Sequence, residues 1–295
     1  MKEGKLITAM SSNREVRIYI AETTELVESA RETHDLSPMS TAALGRTLTA
    51  AAIMGMMSKM DEERITLQIK GSGEIKLMIA IADTHGHVKA YSSNPLAPTL
   101  TRPDGKLAVG EAVGAQGGSV IVIRDYGMGT PFIGQSELVS GEIAEDIAHY
   151  FAKSEQQPTA VALGVLVTKE KPVAAAGGFI VQVLPDASDE TIDQLEINLN
   201  GLKSVTELFS EGLTIHDIGR RVLGDLGMDE LEQYPLSYQC DCSQEKMESA
   251  LISLGKESIR EIIDEDGEAE MSCHFCNQTY HFDREALERF YNRAV

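Results

Sequence analysis

The residues best suited to chemistry are four cysteines, and all of them lie between positions 240 and 276. The first two form Cys240-Asp241-Cys242, and the second two form Cys273-His274-Phe275-Cys276. Two close thiol pairs are typical of a single metal site, and soft thiolates suit Zn²⁺, a d10 cation without geometric preference. We therefore predict one zinc ion bound by Cys240, Cys242, Cys273 and Cys276.

Two histidines near the second pair, His274 and His281, are also possible metal ligands. Four thiolates already fill a tetrahedral site, however, and they leave no open position for a substrate. The pattern thus favours a closed site over a catalytic zinc.

Charge and composition argue against several classes of partner. The chain of 295 residues carries 46 acidic and 26 basic side chains, for a net charge of −20, and it has no tryptophan. This charge repels phosphates and anionic membranes, and 5% aromatic residues are too few to indicate a base-stacking surface. Gly71 and Gly73 open no predicted helix, and the glycines between 110 and 118 lack the Lys-Ser/Thr ending of a phosphate loop. We expect no nucleic-acid, membrane or nucleotide partner.

The expected location is the cytoplasm. Residues 1–13 contain no apolar run of the kind that marks a secretory signal, and no stretch approaches the roughly 20 apolar residues of a membrane span. In the cytoplasm thiols are kept reduced, so a cysteine cluster there is more often metal-binding or redox-active than a framework of structural disulfides.

The elements that must position the cysteines belong to an α+β protein. Residues 1–185 combine period-two apolar patterns with helical ones, which predicts a mixed, mostly antiparallel sheet with helices. The predicted strands are 5–10, 15–21, a three-stranded meander over 64–92, 119–124, 132–138, 159–168 and 173–184. The predicted helices are 24–33, a helix capped by Ser37 that runs through Met60, and 142–153.

Two further segments follow this N-terminal domain. Residues 186–236 form a predicted helical linker with helices near 189–200, 204–210 and 215–226, which are short enough to need a neighbour for stability. Residues 237–295 form a small C-terminal zinc-binding module with helices at 243–253, 256–264 and 283–293 and a hairpin around residues 273–276. The module has few large apolar groups, so a structural zinc, which contributes about 10 to 16 kcal/mol of apparent binding free energy, would decide whether it folds.

The cysteine pattern, from Cys240 to Ser243 and from Cys273 to Asn277, resembles the redox-regulated 33-kilodalton heat-shock protein family. This is a bacterial family of zinc-dependent holdase chaperones. Supporting matches are Ser154-Glu155-Gln156 with Pro158, and the segment GGFIVQVLP at 177–185. The resemblance runs along the full chain, and the cysteines show no departure from the pattern.

The resemblance implies a redox switch rather than an enzyme. Reduced protein would bind zinc through Cys240, Cys242, Cys273 and Cys276 and be inactive. Peroxide with heat, or hypochlorous acid, would form the disulfides Cys240–Cys242 and Cys273–Cys276 and release the metal. The module and linker would then unfold, and the protein, often as a homodimer, would hold unfolding client proteins without ATP. Residues 1–185 would carry client binding and dimerisation.

Elementary thiol chemistry supports each step. Thiolates are the oxidisable form of cysteine, and zinc keeps them deprotonated. Each cysteine pair is close enough in sequence to trap a sulfenic acid as a disulfide, and losing the ligands removes the folding energy that the metal supplies.

Three other interpretations fit the residues alone. A closed site of four thiolates is most often purely structural. A thiol-disulfide oxidoreductase could use Cys273 and Cys276, although such a motif normally follows a strand at a helix start. A zinc-ribbon adaptor could bind a protein or a nucleic acid, and the acidic charge counts against the latter.

Overall fold

A computed structural model describes residues 3–58, 60, 62–169 and 172–294. Some residues covered by the sequence predictions lie outside this set. They are Met1 and Lys2, at the N-terminus where no secretory signal was predicted, and Lys59, in the helix predicted to run through Met60. The chain divides into two compact units, Met1–Gln239 and Cys240–Val295. The predicted linker, 186–236, falls within the first unit. The division of the chain into separate domains at 1–185, 186–236 and 237–295 stays a prediction.

The first unit is built on one large sheet, and each neighbouring strand pair in it is antiparallel except β5 with β10. Its order is β7-β6-β3-β4-β5-β10-β1-β2-β9-β8. The α+β class with a mostly antiparallel sheet is therefore confirmed. The strands are β1 Glu3–Met10, β2 Val16–Glu22, β3 Arg64–Lys70, β4 Leu77–Asp83, β5 His87–Ser92, β6 Ser119–Asp125, β7 Phe132–Glu137, β8 Thr159–Val167, β9 Val173–Val183 and β10 Asp229–Tyr238.

Four helices belong to the larger of the two apolar cores of this unit, and the central one is α2. They are α1 Thr24–His34, α2 Pro38–Met56, α3 Val109–Val113 and α4 Ala144–Tyr150. The Ser37 side chain accepts a hydrogen bond from the Ser40 N–H at the start of α2, and Pro38 follows as the first helical residue. Since α2 is buried along nearly its whole length between α1 and several strands, its methionines are core residues.

Three short helices form a second core with the other face of β1, β2 and β9. These helices are α5 Asp189–Asn200, α6 Val205–Ser210 and α7 Ile215–Leu223, which continues into a 3-10 turn at Gly224–Leu226. Their buried residues, such as Leu195, Leu208 and Val222, pack with Ile18 and Phe179 of the sheet. The helices are each shorter than the length at which an isolated helix is stable, so the sheet face supplies their stability.

Strand β10 was not predicted, and it is the largest departure from the sequence analysis. Its sequence, DELEQYPLSY, is acidic and contains Pro235, a combination depleted in strands. The ladder with β1, which runs from Glu3 opposite Ser237 to Met10 opposite Asp229, overrides this weak local preference. The predicted helical linker 186–236 therefore ends in a strand, over residues for which the sequence analysis predicted no element.

Smaller corrections concern helix ends. The helix predicted through Met60 ends at Met56, and the helix predicted over 142–153 is α4 followed by one π-helical turn at Phe151–Glu155. The short helix α3 was also not predicted. Among the described residues, none of the helices has the length and apolarity needed to cross a membrane.

The π-helical turn has a structural purpose. Arg124 of β6 donates from Nη1 to Glu63 and from Nη2 to Glu155, at 2.9 Å each, and the Tyr150 hydroxyl also donates to Glu155. Arg124 and Glu63 are largely buried, so breaking this network by removing one partner would leave an uncompensated charge. Glu155, part of the motif that supports the family resemblance, thus anchors the chain after α4.

The second unit contains three helices and one hairpin. They are α8 Gln244–Ser253, α9 Lys256–Glu265, β11 Ala269–Ser272, β12 Thr279–Phe282 and α10 Arg284–Arg293. These bounds agree with the sequence prediction to within one or two residues. Asp283 caps α10 by accepting from the Ala286 N–H at 2.8 Å.

Replacing Leu48 of α2 by alanine should lower the free energy of unfolding by about 2 to 5 kcal/mol, because Leu48 is 0% exposed and its loss leaves a cavity. Leu96→Ala removes the same atoms from a side chain that is 63% exposed and should change stability by less than about 0.5 kcal/mol. Urea denaturation of both variants measures the difference. Equal effects would contradict the packing of α2.

Candidate metal centre

The first cysteine pair lies on the segment that connects β10 to α8. Cys240 and Cys242 flank Asp241, and Ser243 then caps α8 by accepting from the Lys246 N–H at 3.3 Å. The Lys246 ammonium donates to the Asp241 carbonyl at 2.8 Å and to its carboxylate at 2.5 Å. The segment is therefore fixed at its middle residue and at the helix start.

The second pair lies in the turn of the β11–β12 hairpin. The Cys273 N–H donates to the Gln278 carbonyl at 2.9 Å, and the Cys273 carbonyl accepts from the Asn277 N–H at 2.8 Å. Asn277 has a φ of 59°, in the left-handed region that asparagine tolerates better than most residues. The tight turn brings Cys276 back beside Cys273.

All four sulfur atoms meet at one point, within 4.8 Å of one another. Cys240 Sγ lies 3.7 Å from Cys273 Sγ, and Cys242 Sγ lies 3.3 Å from Cys276 Sγ. Tetrahedral zinc with Zn–S bonds of about 2.3 Å separates its sulfur ligands by about 3.8 Å. The four thiols are unbridged, and their spacing fits a zinc-sized ion bound by both pairs together.

The protonation of the sulfurs differs within the cluster. Burial raises the pKa of Cys240 and of Cys276 because a thiolate is poorly solvated there. Burial also acts to raise the pKa of Cys242, but hydrogen bonds from Tyr280 and the neighbouring thiols outweigh it and lower this pKa. A coordinated cation would hold every ligating sulfur as a thiolate.

Tyr280 contacts the cysteine cluster, and the sequence analysis did not single it out. Its hydroxyl donates to Cys242 Sγ at 3.1 Å, from a position in β12 four residues after Cys276. Hydrogen bonds to metal ligands orient them and tune their basicity. The hydrogen bond depends on the hairpin register, which places Tyr280 opposite Met271 and cannot be derived from cysteine spacing.

In the part of the chain that the structure describes, neither His274 nor His281 belongs to the group of side chains that could hold a metal ion. His281 is exposed and pairs through Nδ1 with Glu270 at 3.3 Å across the hairpin. His274 is exposed as well. Among the described residues, the only group of at least three cysteine, histidine or acidic side chains with this spacing is the cysteine quartet.

The apolar core around this cluster is small. Its fully or nearly buried members come from α8, α9, β12 and α10, and they are Leu251, Ile259, Ile263, Phe282, Ala286, Leu287, Phe290 and Ala294. The rings of Phe282 and Phe290 meet edge to face at 5.4 Å between centroids. A core of this size gives marginal stability, so a metal that joins the first cysteine pair to the hairpin would contribute much of it.

Comparison with known proteins identifies one family, and the match extends along nearly the whole chain. The family model described as Hsp33 protein matches residues 4–283. The "33 kDa chaperonin" of Clostridioides difficile is 48% identical over 282 residues, 96% of each chain, and that of Alkaliphilus metalliredigens is 44% identical over 97% of each. The crystal structure of the 33 kDa chaperonin, a heat shock protein 33 homolog, from Thermotoga maritima superimposes with a TM-score of 0.89 at 36% identity over 99% of both chains.

The hydrogen bond from Tyr280 predicts a specific defect. Tyr280→Phe should weaken metal binding by about tenfold or more, because it removes only the donor to Cys242. Competition with a chromophoric chelator under reducing conditions measures the affinity. Tyr291→Phe is the matched control, since Tyr291 lies in α10 with its ring beneath Arg260. Equal affinities for the two variants would refute the role of Tyr280.

Proposed function

The chain belongs to the Hsp33 family, and on that premise we propose that it is a redox-regulated, ATP-independent holdase that binds unfolding proteins during oxidative stress and heat. The observation that carries the proposal is the meeting of the four cysteine sulfurs in a separate small unit. Such a cluster couples the folding of that unit to the oxidation state of its thiols. We propose no catalytic turnover.

The proposed resident metal is zinc, bound by Cys240, Cys242, Cys273 and Cys276. When bound, zinc keeps the sulfurs deprotonated and joins the two chain segments that carry them. The donor set favours zinc because four thiolates suit soft or borderline cations and disfavour magnesium or calcium.

Oxidation by a peroxide converts the thiolate ligands into disulfides, in two chemical steps for each cysteine pair. One thiolate attacks hydrogen peroxide, the O–O bond breaks, and the sulfur becomes a sulfenic acid while the other oxygen leaves as hydroxide. A second thiolate attacks the sulfenic sulfur, forms the S–S bond and expels hydroxide. Two thiolates have then lost two electrons to one peroxide, and a second round oxidises the other pair.

We propose the pairs Cys240–Cys242 and Cys273–Cys276. In the reduced cluster the closest sulfurs belong to different pairs, so distance alone does not select this pattern. Once the unit begins to unfold, cysteines two or three positions apart meet far more often than cysteines over thirty positions apart, because short loops lose less entropy on closing. The proposed pairing follows from that order of events.

Loss of the metal should unfold the C-terminal unit and then loosen the linker. Helices α5, α6 and α7 cover an apolar sheet face that includes Ile7, Ile18, Ile20, Phe179 and Val181. Their departure would expose this face, which is wide enough to attract the apolar segments of unfolding proteins. The core that contains α2 does not depend on these helices and can remain folded.

The remaining assignments rest on the family. We propose a cytoplasmic protein whose partners are unfolded or partly folded proteins, with a homodimer as the oxidised form and no nucleotide requirement. An exposed apolar sheet face would favour such pairing.

Zinc release and client protection should appear together. Reduced protein should carry one zinc per chain and fail to suppress aggregation of a heat-denatured enzyme. After peroxide at elevated temperature, it should release the zinc to a chromophoric chelator and suppress aggregation, and mass spectrometry of its peptides should show the two proposed disulfides. Both changes have one physical cause, the loss of the thiolate ligands.

A variant with serine at all four cysteine positions is the control, since it cannot respond to peroxide. If the unsubstituted protein suppresses aggregation equally before and after oxidation, the proposed redox switch is wrong. Catalytic turnover of a small disulfide substrate would instead favour an oxidoreductase. Cys273 and Cys276 lie in a hairpin turn rather than at the helix start where reactive CxxC motifs have their lowered pKa, and this counts against that alternative.

A further inference from the structure

Strand β10 occupies an unusual place for a segment that leads into the cysteines. It lies in the middle of the large sheet, between β5 and β1, and it joins the half formed by β7-β6-β3-β4-β5 to the half formed by β1-β2-β9-β8. Its last residue, Tyr238, precedes Cys240 by only two positions. The strand that closes the sheet is thus the strand next to the proposed switch.

The contacts of β10 with β5 are few. Only Ser237 and Tyr238 pair with β5, where the Ser237 N–H donates to the Gly86 carbonyl at 2.9 Å and the Gln239 N–H donates to the Val88 carbonyl at 2.9 Å. The Tyr238 hydroxyl adds a hydrogen bond to the Ala90 carbonyl at 3.0 Å. These contacts are concentrated at the end of β10 that unfolding of the following residues would fray first.

Few side chains of β10 are buried, so burial contributes little to holding this strand in the sheet. Leu236 is the one side chain in it that is fully buried, with Tyr234 and Tyr238 partly buried against the same core, whereas Leu231 is 44% exposed. At the other end Asp229 pairs with Arg14 at 3.4 Å and Glu230 with His216 at 3.1 Å. These ion pairs are solvent-exposed, and such pairs add little stability.

Departure of β10 would leave a slot rather than a flat surface. Helices α1 and α2 pack against strands from both halves of the sheet and can hold them in place. Two strand spacings, about 10 Å, would then separate β5 from β1, with backbone N–H and C=O groups on both edges. Helix α1 packs against β1, β5 and β10, so it would cover one face of the slot.

We infer that this slot is a client-binding site of the oxidised protein and that its occupant is an extended segment of an unfolding protein, added as a strand in place of β10. The inference rests on the proposed holdase function and deepens it. The chemistry of the occupant is indicated by β10 itself, whose inward positions are Tyr234, Leu236 and Tyr238. A preferred segment carries apolar or aromatic side chains at three alternating positions, and its backbone pairs with both edges.

Clients can displace β10 because its own sequence is a poor strand. Four of its ten residues, Asp229, Glu230, Glu232 and Pro235, are of types depleted in strands. A client segment that buries one more large apolar side chain than β10 gains about tenfold or more in binding. Aggregation-prone segments, which are apolar and favour strands, are therefore the ones that the slot selects.

A peptide of residues 229–239 tests the inference directly. With a fluorescent label, it should bind the oxidised full-length protein, displace a heat-denatured client and fail to bind the reduced protein, in which β10 fills the slot. The same peptide with N-methyl groups on the Ser237 and Gln239 amides keeps every side chain but cannot donate to β5. It should bind about tenfold more weakly or worse. A peptide with Leu236→Ala should also be weaker, and a scrambled peptide should not compete.

Hydrogen exchange supplies the second measurement. After oxidation, backbone amides of β1 and β5 should lose protection and should regain it when client binds. Equal competition by the methylated and unmethylated peptides would overturn strand addition. Protection of β1 and β5 that persists without client, or that depends on protein concentration because a second copy supplies its β10, would also overturn it. A protein that holds clients without peptide competition contradicts this inference alone, whereas one that never holds clients contradicts the proposed function.

Discussion

The C-terminal unit depends on the close approach of four sulfur atoms that would repel one another as free thiolates. Its small apolar core cannot supply the stability that larger domains draw from burial, and Tyr280 adds only one hydrogen bond to the cluster. A soft divalent cation bound by the four sulfurs would replace this repulsion with a strong cross-link between the two segments that carry them. In the proposed switch, two-electron oxidation of a cysteine pair would remove that cross-link, so the same sulfur atoms would both stabilise the unit and respond to oxidant.

The larger unit shows how a local change in the cysteines could reach a distant surface. Helices α5, α6 and α7 are too short to be stable alone, and β10 has a single fully buried side chain. Both segments lie between the main core and the cysteines along the chain, and both are held more weakly than α2 and the strands beneath it. In the proposed switch, this difference in packing would let the C-terminal third unfold locally while the rest of the chain stays folded.

Much of this arrangement was predictable from local patterns. Helix α5 has the predicted bounds because Ser188 caps it and the chain breaks its apolar periodicity at Gly201, and the α8–α10 module was outlined by its turns and caps. Strand β10 was not predictable, because an acidic segment with Pro235 becomes a strand only through pairing with residues more than 200 positions away. The meeting of Cys242 with Tyr280 likewise depends on hairpin register, which sequence spacing does not fix. Local propensity accounts for the helices, whereas non-local pairing decides where β10 lies and which side chain contacts Cys242.

The place of β10 also bears on how the chain first folds. Strand β1 pairs on one side with the adjacent β2 and on the other with β10, so its second partner leaves the ribosome only when most of the chain has been made. Hairpins such as β1–β2, β3–β4 and β8–β9 can form from local contacts, whereas the pairing of β10 with β1 is a contact of very high sequence separation and is expected late. Before β10 inserts, a nascent chain would have an open sheet in which β1 and β5 both have exposed edges. If β10 inserts last during biogenesis, the proposed switch would release first the strand that joined last, and activation would retrace the final step of folding.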